Sequence, residues 1–239
     1  MNNEELRALI AQSLGEFYQR RIQRLEKLKL KNVLLRKNPY LYKALGTQSA
    51  TEIVEEILKA YLSASDEGLF GDVFFEPIAK SVSGGVVSPS EGVDLAIETE
   101  DRYTAIAVKS GPNPYNASQV KRQSDEFASL RRRLLKLRKQ FDPVLGHCYG
   151  KKQTLPTSRQ AYRDSSGQKF WQELTGDSEF YLKLIRYLED KVIARHREAY
   201  KADYQNAINR YVREFTNDFC KDSGAIDWEK LVRFNSGAS

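Results

Sequence analysis

Gly92-Val93-Asp94-Leu95-Ala96-Ile97-Glu98, then Tyr103-Thr104-Ala105-Ile106-Ala107-Val108-Lys109-Ser110-Gly111, is the most telling part of this chain. In the first run Val93, Leu95 and Ile97 alternate with Asp94, Ala96 and Glu98. In the second, Thr104, Ile106 and Val108 alternate with Ala105, Ala107 and Lys109. A period of two is the side-chain period of a strand. The polar segment from Thr99 to Arg102 supplies a turn, so the two runs predict a β-hairpin. Folding about that turn sets Asp94 opposite Lys109, to within a residue of register. An acid and a lysine together where two strands end can hold a divalent metal and stabilise an anion, which phosphodiester hydrolysis requires. The competing reading of the same spacing is a structural Asp–Lys cross-strand pair.

Working outward, Asn116-Ala117-Ser118-Gln119 has the form of a capping box, with Asn at the N-cap and Gln three residues on. The helix it starts presents free N–H groups just past Lys109, which favours a phosphate there. Val120, Phe127, Leu130, Leu134, Leu137 and Phe141 form an apolar stripe that predicts a helix from Ala117 to about Gln140, stopped by Asp142-Pro143. Val144 to Tyr149 then reads as a short buried strand. Upstream, residues 4 to 29 are helical through Leu6, Ile10, Leu14, Phe17 and Ile22, and Asn38-Pro39 ends that region. A second amphipathic helix covers 50–63. Residues 69–82 fit either a helix or a strand, and Pro77 with the β-branched end places the first strand near Ile78 to Val87. Residues 150–168 are polar and read as a loop; 178–222 are helical in one run or two. The order helix, three strands, helix, strand predicts an α/β fold with a mixed central sheet. The expected organisation is one domain over 1–239, with helical regions 1–45 and 170–239 packed on a core of 46–169.

Asp94 with Val108-Lys109-Ser110-Gly111 on the next strand resembles the PD-(D/E)XK nuclease superfamily. The continuation through Pro112-Asn113 and Asn116-Ala117-Ser118-Gln119 is similar to type II restriction endonucleases of the PmeII and TdeIII kind. So are Ser63-Ala64-Ser65-Asp66-Glu67 with Phe70-Gly71, Gly167-Gln168-Lys169-Phe170-Trp171 with Leu174-Thr175-Gly176-Asp177, and Gly224-Ala225-Ile226-Asp227-Trp228-Glu229-Lys230-Leu231. The resemblance implies an αβββαβ core and a Mg2+-dependent endonuclease that hydrolyses double-stranded DNA at a short specific sequence. It implies Asp94 as a metal ligand, and Lys109 as the group that orients the attacking water and offsets charge on the phosphate. It further implies a partner DNA methyltransferase. A homodimer would place two such sites across a palindrome.

The chain departs from the superfamily pattern at one position. The second acid belongs two residues before the lysine, where this chain has Ala107. Glu98 lies four residues beyond Asp94, about 13 Å along the strand, too far to share one metal. The acid can instead come from another element. Glu76 is the first candidate to complete the catalytic and metal set, Glu67 the second and Glu55 a weaker third. A degenerate, non-catalytic DNA-binding scaffold is the alternative that Ala107 favours; a repair or processing nuclease is another.

Charge is consistent with a polyanionic partner. The formal net charge is +6 over 239 residues, and the distribution says more than the total. Basic residues cluster from Arg20-Arg21 to Lys37 and at Arg131-Arg132-Arg133 through Lys139. The three arginines point to different parts of a helix circumference, so not all can face one DNA strand. Lys151, Lys152, Arg159 and Arg163 lie in the 151–163 loop, where Arg and Gln can donate to base edges. Ser110, Asn113, Asn116 and Gln119 sit beside the expected site as substrate contacts or, for the last two, caps. His147 has no spaced His or Cys partner and reads as a structural strand histidine. Two cysteines make no disulfide framework, no apolar run reaches membrane-span length, and the start Met1-Asn2-Asn3-Glu4-Glu5 is not that of a signal peptide. A cytoplasmic protein is expected.

Overall fold

A computed structural model describes residues 1–87 and 90–237. The chain divides into two compact units, Met1–Phe17 with Glu67–Ile193, and Tyr18–Asp66 with Ala194–Ser239. The helices before the sheet are α1 (Asn3–Lys27), α2 (Leu30–Leu34), α3 (Pro39–Ala44), α4 (Ala50–Phe70) and α5 (Glu76–Val82).

The first unit carries a five-stranded sheet in the order β1-β2-β3-β4-β5: Val86–Val87, Leu95–Glu98, Arg102–Lys109, Gln140–His147 and Arg163–Ser166. β1, β2 and β3 pair antiparallel, whereas β3, β4 and β5 pair parallel, so the sheet is mixed as expected. The helix α6 (Ala117–Leu134) is the crossover that parallel β3 and β4 require. The sequence α5-β1-β2-β3-α6-β4 is the expected αβββαβ order, with β5 added at the edge. The α6 stripe packs Phe127 and Leu130 onto Val93, Ala105, Ala107 and Leu145, together with Tyr162. Phe127 is almost fully buried, a burial that contributes roughly 3 kcal/mol. The Leu137 side chain lies outside what the structure describes. After β5 come α7 (Gly167–Thr175) and α8 (Phe180–Tyr187), then α9 (Lys191–Phe219) and α10 (Trp228–Ser236).

Four sequence expectations change. Residues 76–82 are helical, and among the described residues the first strand is Val86–Val87. A π-helical turn at Gly71–Phe75 precedes Pro77, which sits in the first turn of α5. Phe70, Phe75 and Glu76 all keep right-handed helical backbone, so Pro77 lies inside a continuing helical run, where the π-helical turn just before it accommodates the N–H that proline lacks. Second, α6 stops at Leu134; a 3-10 turn (Leu135–Leu137) and Arg138 in the left-handed region (φ 56°) end the run. Third, Asp142-Pro143 lies inside β4 rather than before it. β5 pairs with β4 only from Val144 onward, so Pro143 has no β5 neighbour to supply with an N–H. Fourth, part of the expected 150–168 loop is β5, whose Asp164, Ser165 and Ser166 are buried.

The second unit has its own apolar core. Leu25, Leu30, Ile53, Ile57, Leu58 and Leu62 pack with Tyr211, Phe215, Phe219 and Leu231. The Tyr211 hydroxyl donates to the Leu28 carbonyl (2.9 Å), so a buried phenol is satisfied. Among the described residues, no helix is long and apolar enough to cross a membrane.

Candidate active site

The hairpin pairs Leu95 with Ile106 and Glu98 with Tyr103. Asp94 therefore does not fall opposite Lys109, as the alternation predicted, but two residues nearer the turn. The reason is a tighter turn, closed by the Thr99 N–H donating to the Arg102 carbonyl (2.9 Å). A two-residue shift preserves the sheet face, whereas a one-residue shift would have reversed it. Beyond the last regular pair, the Asp94 N–H donates to the Ile106 carbonyl (2.9 Å) and Asp94 Oδ2 accepts the Val108 N–H (2.7 Å). The carboxylate is thus fixed against the end of β3.

Burial pushes the Asp94 carboxyl above its ordinary value, against the Val108 N–H and Lys109, which lower it; Glu76 raises it further and Lys80 lowers it. Asp94, Glu76, Lys80 and Lys109 thus share one electrostatic neighbourhood. Glu76 reaches it from α5 and is ion-paired there with Lys80 one helical turn on. The Lys109 ammonium lies 5.9 Å from the centre of the Tyr115 ring.

A cleft of about 600 Å3 opens beside this group, lined among others by Glu67, Asp72, Glu76, Lys109, Ser110, Asn113 and Tyr149. Glu67 lines the cleft but is engaged: its Oε1 accepts the Ser110 hydroxyl (2.6 Å) and the Tyr149 hydroxyl (2.9 Å). That bond to Glu67, more than burial, raises the Tyr149 phenol. Glu55 belongs to the other unit.

The remaining expected contacts divide by what holds them. Ser110 and Asn113 line the cleft. Asn116 and Gln119 make both bonds of a capping box (3.1 and 2.9 Å), so their side chains serve the start of α6. Lys151 and Arg159 are exposed, as are Arg131, Arg132 and Arg133 at the end of α6. Lys152 is paired with Asp164 (3.1 Å). The Arg163 guanidinium holds Asp142 (2.9 Å) and Glu173 (3.0 Å) from within β5. Lys80 and Tyr149 were not expected from the sequence. The Glu76-to-Lys80 spacing of four would have signalled the first, had the segment been read as helix.

Among the described residues no three His, Cys, Asp or Glu side chains group as a metal site. Asp94 and Glu76 carry carboxylate oxygens, the donor type that a hard divalent cation takes. Each opposes the charge of the other, and Mg2+ is commonly held by one or two carboxylates, with substrate phosphate and water completing its shell. Burial of the Asp94 charge, with Glu76 adding to it, predicts that Asp94→Asn raises the melting temperature of the metal-free protein. The folded state binds the Asp94 proton more tightly than the unfolded chain does. Stability from this group is therefore present at low pH and lost as pH rises through the raised value. Melts in EDTA from about pH 4 to about pH 8 should show an advantage for the variant that grows with pH; a constant or negative difference would contradict the burial of this charge.

Comparison with individually curated proteins returned no match. A family model described as "Type II restriction endonuclease EcoO109I" matches residues 4–197, well over half of the chain, including all five strands, Glu76, Asp94 and Lys109. With that extent of match, the chain belongs to the EcoO109I family of type II restriction endonucleases.

Proposed function

We propose that this restriction endonuclease is a Mg2+-dependent enzyme of the PD-(D/E)XK kind, related to the PmeII and TdeIII endonucleases, and that Asp94, Glu76 and Lys109 carry its chemistry. The observation that supports this most is the shared neighbourhood of Asp94, Glu76 and Lys109 beside an open cleft. Asp94 and Glu76 would hold the cation, which when bound supplies Lewis-acid stabilisation to the phosphate. Lys109 donates to a phosphate oxygen and orients the water that adds to phosphorus as the P–O bond breaks. Ser110 and Asn113 offer donors to the neighbouring phosphate from the same cleft. Glu67 holds Ser110 and Tyr149 in place rather than binding metal. Lys151 and Arg159, both exposed, contact DNA from the loop beyond β4.

Position 107 does not supply the second acid, since Ala107 is buried beside Phe127 and Leu130. The same residue favours one alternative, a DNA-binding protein that does not cut. A homodimer, a cytoplasmic location and pairing with a protective DNA methyltransferase complete the proposal. Incubation of the protein with unmethylated phage DNA and Mg2+ tests it. Discrete fragments are expected; a DNA shift in gels without cleavage would favour the non-cutting alternative.

A further inference from the structure

We propose that His147 is a positioning residue that couples the 151–160 loop to the catalytic strand end through Asp164; this rests on the catalytic reading of Lys109 given above. His147 is the last residue of β4, pairs in register with Lys109 and is fully buried. Its Nδ1 lies 2.8 Å from the Gly111 carbonyl, two residues after Lys109. Its Nε2 lies 2.6 Å from Asp164 Oδ1. The imidazole thus bridges the Gly111 carbonyl and the Asp164 carboxylate through its two ring nitrogens.

Asp164 is the meeting point on the other side. It accepts the Thr154 hydroxyl, Gln160 Nε2 (2.8 Å) and Lys152 Nζ (3.1 Å), all from the loop. Burial by itself would raise this carboxyl, yet hydrogen bonds led by His147, then Thr154, Gln160 and Lys152, hold it well below the usual range. Asp164 is therefore a buried anion whose fixed place depends on three loop donors. A loop displaced from Asp164 leaves His147 with an altered partner, and Gly111 with it. The backbone of Lys109 and Ser110 is tied to the same strand end, since their carbonyls accept the N–H groups of Cys148 (2.9 Å) and Tyr149 (3.3 Å). Contacts that DNA makes with Lys151 or Arg159 in this loop thereby bear on where Lys109 sits.

His147→Gln, Thr154→Val and the double variant test the coupling. Single-turnover cleavage in Mg2+ is read beside DNA affinity in Ca2+, with amide hydrogen exchange of residues 109–113 in the DNA-free and metal-free protein. His147→Gln is expected to cut about 10²-fold more slowly at nearly unchanged affinity, as small misplacement at a reacting centre does. Thr154→Val is expected to speed exchange at 109–113, and the double variant to be little worse than His147→Gln alone. Folded His147→Gln that cuts at the wild-type rate, multiplying effects in the double variant, or unchanged exchange in Thr154→Val each overturn the coupling alone. Should His147→Gln not fold, the exchange of Thr154→Val decides. A wild-type protein that does not cut overturns the catalytic reading, and this inference falls with it.

Discussion

Lys109→Ala is expected to slow DNA cleavage by about 10²- to 10³-fold or more, the usual cost of removing a donor aimed at developing charge. The ammonium is the cation of the neighbourhood that the cleft exposes, because the other, Lys80, is ion-paired with Glu76. Affinity for DNA should hold within a few-fold, because phosphate binding is spread over many basic residues. Single-turnover rates in Mg2+, set beside equilibrium binding in Ca2+, separate the two quantities. Asp94→Asn should lose cleavage to a similar degree while melting higher in EDTA, so loss of activity there cannot be ascribed to loss of fold. A Lys109→Ala protein that cuts near the wild-type rate would remove Lys109 from the chemistry.

The second large effect is expected at Glu76. Asp94 by itself would leave a divalent cation with one carboxylate, and Glu76 is the carboxylate that acts on it. Glu76→Gln is therefore expected to lower cleavage by about 10²-fold or more and to shift the Mg2+ dependence to higher concentration. Glu67→Gln should be milder, since an amide oxygen can still accept both hydroxyls that Glu67 Oε1 binds. Ala107→Glu should melt lower and fail to raise activity, because it places a carboxylate against Phe127 and Leu130 without a partner. A rise in cleavage for Ala107→Glu, or full activity in Glu76→Gln, would show that the second acid does not come from α5.

The hairpin and the start of α6 were legible because each signal is local. Strict alternation marks β2 and β3, and Asn116 with Gln119 spell a reciprocal cap that the structure makes in full. The register was legible only to the sheet face, since turn length cannot be read from polarity alone. Glu76 is the first candidate for the second acid from the sequence, yet its partner Lys80 is hidden behind Pro77, a residue that also marks strand ends. β5 was invisible for a different reason. Arg163-Asp164-Ser165-Ser166 has no apolar alternation, and its burial depends on donors that the fold brings from His147, Lys152, Thr154 and Gln160. Arg163 likewise read as a DNA contact, whereas its ion pairs with Asp142 and Glu173 depend on pairing between β4 and β5.

Whether Asp94 and Glu76 together hold the cation is read from anomalous scattering of crystals soaked in Mn2+, which shares the octahedral oxygen preference of Mg2+. One peak is expected, bonded to a carboxylate oxygen of Asp94 and one of Glu76, each at about 2.1 Å, and lost in Glu76→Gln. A peak at Glu67 and Asp72 with Glu76 still bound to Lys80, or a peak unchanged in Glu76→Gln, would contradict it.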